Sequence, residues 1–160
     1  MKRLHKKRGL SLIEVLIGAA IVSSAIIYIA NSYANFVSLS GSNTTRIQAT
    51  FLLDEGVEAL KTMRGESWSQ NISNLTASTT YYFVWSTNKW KATTTPQVID
   101  GVFTRTFVLT PVYRDANFNI AQSGTLDAGS KRVDLTVLWL DKGATTTKNL
   151  SMYMFNIFNN

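Results

Sequence analysis

A run of 21 residues, Leu10 to Ala30, carries a single charge, Glu14. Five cationic residues (Lys2, Arg3, Lys6, Lys7, Arg8) and then Gly9 precede it. As a helix rising about 1.5 Å per residue, the run measures roughly 30 Å, one hydrocarbon thickness. The cationic cluster belongs on the cytoplasmic side, so everything after the run is expected outside. Glu14 is the feature that needs a reason. A carboxylate inside a spanning segment costs a few kcal/mol, and a charge buried among apolar helices requires a partner. No cation lies elsewhere in the run. The expected partner is therefore a chain terminus or another subunit. An amine created by cutting after Gly9 would lie about one helical turn from Glu14. A neighbour shifted by one turn would meet it, which favours assembly and sets its register.

The stretch Gly9-Leu10-Ser11-Leu12-Ile13-Glu14-Val15-Leu16-Ile17, behind a basic leader, resembles the signature of type IV prepilins and of the related type II secretion pseudopilins. The resemblance implies that a prepilin peptidase in the cytoplasmic membrane cuts between Gly9 and Leu10. It implies N-methylation of Leu10, and a Glu14 that neutralises the amine of a neighbouring subunit in a filament. Leu10 stands where the family most often has Phe. The implied partners are copies of the chain or other pilins, the peptidase, the cytoplasmic membrane and a pulling or secreting assembly platform. The implied location is a single-pass membrane protein before assembly and a surface or periplasmic filament after it. Adhesion, motility, DNA uptake and secretion are all roles of such filaments.

Two other readings of the same segment stand beside this one. Ser32-Tyr33-Ala34 has the small-x-small pattern of a signal-peptidase site, which would release a secreted domain starting near Asn35. Against it, the apolar run exceeds the usual length of about 7–15 residues and carries Glu14. The second reading is a plain membrane anchor. A lipoprotein is excluded, because no cysteine is present to acylate.

The net charge of +6 is a property of the leader. Five of the sixteen basic residues lie there, leaving eleven against ten acidic ones. The high pI is thus a targeting signal and not a nucleic-acid footprint, so no nucleic-acid partner is expected. An exported domain without disulfides relies on its core and its neighbours.

The expected organisation is a leader over 1–9, an apolar membrane or filament-core helix over 10–36, an amphipathic helical half over 37–64 and a globular head over 65–160. The fold class is α+β: a long N-terminal helix whose second half packs on a C-terminal antiparallel sheet, the pilin layout. No proline interrupts the helix from Leu10 to Arg64. Ser40-Gly41-Ser42-Asn43 is its soft point, expected to remain helical. Ala49, Leu53, Gly56, Leu60 and Met63 form one stripe, widened by Phe51, Leu52, Val57 and Ala59. Asp54, Glu55, Glu58 and Lys61 read as a solvated face, with Glu58 and Lys61 a helical pair. Gly65 fits the helix end, and a polar loop is expected from Glu66 to Thr80, anchored by Trp68.

Strands follow. Tyr81–Trp85 turns at Ser86-Thr87-Asn88 into a short edge strand, Lys89–Thr93, whose lysines discourage further pairing. After a connection over 94–101 comes a long strand, Val102–Arg114, with Phe103, Arg105, Phe107 and Leu109 on one face. Pro111 marks a strand end, bulge or edge. A loop over 115–129 leads to Lys131–Leu140, a turn at Asp141-Lys142-Gly143 and a last strand, Thr145–Phe158.

The expected function is structural and not enzymatic, with no cofactor. The one histidine, His5, lies in the leader, and no cysteine is available as nucleophile or ligand. Asp115-Ala116-Asn117-Phe118-Asn119 matches the opening of a calcium loop, which makes Asp115, Asn117 and Asn119 weak metal candidates. Ile120 replaces the glycine that such a loop needs, and Leu126 the closing glutamate. Trp68, Tyr81, Trp85 and Trp90, with Lys89 and Lys91, could stack on single-stranded DNA or sugars. Packing on the helix is the preferred explanation of these aromatics.

Overall fold

The computed structural model describes residues 11–158. Their layout is α+β: a long helix near the N-terminus, then an antiparallel sheet. The chain divides into two units, one ending at Thr44 and the other running from Thr45 to Asn160.

Helix α1 spans Leu12–Glu66 without interruption, through Gly41 and past Gly65. Two residues explain its start. The main-chain N–H of Ile13 donates to Ser11 Oγ (3.3 Å), and the N–H of Ser11 donates to Glu14 Oε2 (3.1 Å). Together they form a reciprocal capping box that satisfies donors the first turn would otherwise leave open. Gly65 does not end the helix. Its backbone stays off the left-handed region, and helical geometry resumes in a π-helical turn, Ser69–Ser73, where a loop was expected. Asn71 Nδ2 donates to Met63 O (3.0 Å), tying that turn to the last turn of α1. Trp68 and Ile72 are buried beneath it.

In the second unit the helical stripe is buried where the periodicity puts it: Ala49, Leu53, Gly56, Ala59, Leu60 and Met63. Leu52 and Val57 pack at its margin, whereas Phe51, expected to widen it, is exposed. The partner surface is one face of the sheet, with β1 (Thr80–Ser86), β2 (Lys89–Thr93), β4 (Phe103–Arg114), β6 (Thr125–Asp141) and β7 (Ala144–Phe155) in the order β2-β1-β4-β6-β7. Two short strands, β3 (Val98–Ile99) and β5 (Ile120–Ala121), pair with β4 inside stretches read as connections. Alternation is strict on β4 up to Thr110, and Phe103, Arg105, Phe107 and Leu109 face the core. On β6, Val133, Leu135, Val137 and Trp139 do the same.

The turns follow from left-handed backbone. Thr87 (φ 54°) and Asn88 (φ 59°) join β1 to β2, and Lys142 (φ 53°) and Gly143 (φ 82°) join β6 to β7. Two residues at positive φ match the twist of a tight hairpin. The β4–β6 register breaks between Pro111 and Val112. Proline cannot donate to a ladder, and Ala128, Gly129 and Ser130 on β6 have no counterpart on β4. Strand β6 therefore begins at Thr125, six residues before the expected Lys131. Below the break, Asp127 locks the bulge. It accepts from Arg114 Nε (2.6 Å), Ser130 Oγ (2.6 Å) and the Gly129 N–H (3.0 Å). Ser130 and then Arg114 hold its carboxyl below the usual carboxylate value.

Among the described residues, one charged residue lies within the core. Arg105 is 4 % exposed. Its Nη1 donates to Leu52 O and to Glu55 Oε2, each at 2.9 Å. Its guanidinium lies 4.9 Å from the Phe83 ring centroid and 5.5 Å from that of Trp90. Glu55, read as part of a solvated face, is thus the half-exposed partner of a buried arginine. This contact ties α1 to the sheet.

Candidate functional site

Among the described residues, the first part of α1 carries the clearest unmet physical demand. Leu12, Ile13, Leu16, Ile17, Ile21 and Ile26 are each more than half exposed, and every residue from 11 to 41 is exposed. The most apolar 18-residue window has a mean hydropathy of 2.3, and none of it is buried within the chain. By length and composition this helix can cross a membrane. Each large apolar side chain left in water forgoes about 1.5–3 kcal/mol, so the helix requires lipid or other helices around it. Gly18, Ala19, Ala20, Ser23, Ser24 and Ala25 keep part of the surface small, which permits close helix approach. Ser24 Oγ donates back to Ile21 O (2.8 Å), so this hydroxyl is met within the helix.

Gly9 and Leu10, the expected cleavage and methylation positions, lie outside the described residues. Glu14 is described, and it sits in the first turn of α1. Its carboxylate accepts from the Ser11 N–H. The spacing Ser11-x-x-Glu14 is itself a capping-box signature. That signal was present in the sequence and adds a second role to a residue read only for intermolecular pairing. The favourable interaction of an acidic group with a helix N-terminus supports the same placement.

The metal candidates form a closed loop. Asp115 Oδ1 accepts from the N–H groups of Asn117 and Asn119, both at 2.8 Å, and Oδ2 accepts from Asn119 Nδ2 (3.3 Å). The first of these effects in size, the Asn119 N–H, lowers the Asp115 pKa from the usual 3.8. Ile120, at the position where a calcium loop turns on glycine, instead starts β5. Asp115 and Asn119 are therefore together, with the carboxylate directed to main-chain donors. No group of three or more His, Cys, Asp or Glu is assembled among the described residues.

The aromatic set separates into two. Trp68 and Tyr81 are core residues, as the packing explanation requires. Tyr81 stacks on Phe107 with centroids 5.6 Å apart, and its hydroxyl accepts from the Thr76 N–H (2.9 Å). Trp85 and Trp90 meet edge to face at 5.2 Å, but Trp85 is 57 % exposed. Lys89 pairs with Glu66 at 3.5 Å, a weak surface contact.

Compared with family models, with curated proteins and with solved structures, the chain matches none.

Proposed function

We propose that this chain is a structural subunit of a type IV pilus-like filament, made as a precursor. A prepilin peptidase cuts it between Gly9 and Leu10 and methylates the new Leu10 amine. The subunit waits in the cytoplasmic membrane with its head outside, then polymerises through α1. One observation carries the reading: α1 begins two residues after Leu10, and its apolar first part, residues 12–41, is exposed throughout and contains one charge, Glu14, in its first turn. Lipid satisfies the apolar surface but not the carboxylate. A bundle of copies with exposed N-terminal amines satisfies both.

The capping box makes the exchange inexpensive. Glu14 holds a neutral main-chain N–H in the single chain, an interaction worth about 1 kcal/mol. A methylated amine from a neighbour offers a charge-assisted bond, roughly twice as strong in an apolar setting. Glu14 then serves the helix start before assembly and the subunit register after it. A minor pseudopilin of a type II secretion system would use the same device and differ in the machine that assembles it.

The same capping contact favours a second reading, a membrane-anchored module that does not polymerise, because it gives Glu14 a reason to exist in one chain. Two measurements on protein recovered from membranes separate the readings. Intact mass with co-expressed prepilin peptidase should show a chain starting at Leu10 and carrying one extra methyl group. Glu14→Ala should remain in the membrane and be cut normally, yet fail to enter sheared filaments. An uncut chain in the presence of active peptidase would refute the proposal, as would filaments assembled normally from Glu14→Ala.

A further inference from the structure

The head contains a cleft that its fold does not require. Its volume is about 370 Å³, and Glu55, Phe83, Trp85, Trp90, Gln97 and Arg105 contribute to its walls. That volume falls in the lower part of the range of about 300–1,000 Å³ typical of small-ligand sites. One side chain here is poorly explained by packing. Trp85 has the same strand parity as the buried Tyr81 and Phe83, so alternation directs it to the helix side of β1. It nevertheless remains 57 % exposed. Arg105 lies buried beneath the cleft, its Nη1 committed to Leu52 O and to Glu55.

The chemistry of the walls is specific. Trp85 and Trp90, set at 73° to one another, offer an exposed aromatic surface with an apolar face and ring N–H groups at its margin. Arg105, Glu55 and Gln97 are planar groups with paired donors or acceptors. The cleft is also formally neutral, since Glu55 compensates Arg105. Neither Lys89 nor Lys91 lines it, and Lys89 is engaged by Glu66. A polyanion such as single-stranded DNA binds through unneutralised cations along its backbone, and here they are missing from the walls. A pyranose has what the cleft can use: an apolar C–H face to lie on an indole, and adjacent hydroxyls that both donate and accept.

We propose that this cleft is a binding site for a neutral sugar, the terminal one or two hexose units of an uncharged glycan. The sugar ring lies on Trp85 and its rim hydroxyls meet Gln97 and Glu55, whose carboxylate Arg105 Nη1 holds in place at the wall. The proposal does not depend on the filament reading, since a membrane-anchored module would carry the same cleft.

The test uses the full chain in phosphatidylcholine nanodiscs, which avoids sugar-headed detergents. Maltose, lactose, cellobiose and chitobiose are titrated by tryptophan fluorescence and by saturation-transfer NMR. At least one should give a saturable response with a dissociation constant of about 1 mM, usual for a shallow site. Trp85→Ala should weaken that binding about tenfold, the size of one aromatic contact. Gln97→Ala should weaken it about fivefold, the size of one hydrogen bond. Trp85 is more than half exposed, and the half-buried Gln97 donates only a long bond to Thr95 O (3.4 Å), so melting should change little; if Trp85→Ala does unfold, Gln97→Ala carries the test alone. No saturable response from any of the four sugars up to about 50 mM overturns the proposal. So does wild-type affinity in the folded variants. Tighter binding of sialyllactose than of lactose would overturn the neutral assignment, and binding of oligothymidylate without sugar binding would replace it with a nucleic-acid site.

Discussion

Gly56 should respond to alanine in the opposite sense from Gly65, although both lie in α1. Replacing glycine by alanine in a helix interior normally gains about 1 kcal/mol. At Gly65 an added Cβ meets nothing within 4 Å, so most of that gain should appear. At Gly56 the same Cβ would fall 2.7 Å from Leu135 Cδ2 and 3.3 Å from Arg105 Cδ. Carbon atoms pack best at about 3.5–4.0 Å, so the first contact is too short by about 1 Å. Leu135 is fully buried on β6, between β4 and β7, and Arg105 is held by Leu52 and Glu55. Neither can withdraw without disturbing a neighbour. Overpacking of this kind costs about 1–3 kcal/mol. Net of the propensity gain, Gly56→Ala should lose about 0–2 kcal/mol, whereas Gly65→Ala should gain about 0.5–1. For a head of this size, 1 kcal/mol moves the melting temperature by about 3–5 °C. Thermal melting of the full chain in nanodiscs, followed by tryptophan fluorescence, reads the head directly. If Gly56→Ala raises Tm as much as Gly65→Ala does, the close seating of α1 on β6 at this point is wrong.

Arg105 and Asp127 give two further tests. The partner of Arg105, Glu55, is half exposed and stays solvated when the arginine is lost, so packing between Phe83 and Trp90 should outweigh charge. Arg105→Ala should cost about 2–4 kcal/mol in urea unfolding and Arg105→Met under about 1.5 kcal/mol; equal losses would show that the guanidinium's polar bonds dominate. The folded pKa of Asp127 is depressed, first by Ser130 and then by Arg114. Its contribution is therefore fully present above the unfolded carboxylate value and lost as pH falls through the lower folded value. Between about pH 5 and pH 2, the Tm of the parent chain should fall more steeply than that of Asp127→Asn, and parallel curves would remove Asp127 as the group that locks the bulge.

Most of the element pattern was legible in the sequence because it is local. Helical periodicity marked Ala49, Leu53, Gly56, Leu60 and Met63 as the buried stripe, and strand alternation marked Phe103, Phe107, Val133 and Leu135. Pro111 pointed to a strand end, bulge or edge, of which the bulge is the one that forms, and Asp141-Lys142-Gly143 pointed to the turn, through backbone geometry alone. Errors arose where neighbours distant in sequence decide. Phe51 has the composition of a core residue but faces away from the sheet. Strands β3 and β5 are two residues each and exist only because β4 offers its edge. The early start of β6 depends on the Arg114–Asp127–Ser130 lock, which no periodicity encodes.

By itself, the sequence determined the apolar helix, its single carboxylate and its Ser11-x-x-Glu14 start, since these depend on composition and on contacts three residues apart. Tertiary structure alone decided the use of Arg105 and Trp85. Arg105 meets Leu52 across 53 residues of chain, and Trp85, met edge to face by Trp90, is otherwise left open by the described elements. A charge in a strand becomes a core residue, and an aromatic becomes a cleft wall, through the surfaces that long-range packing places beside them.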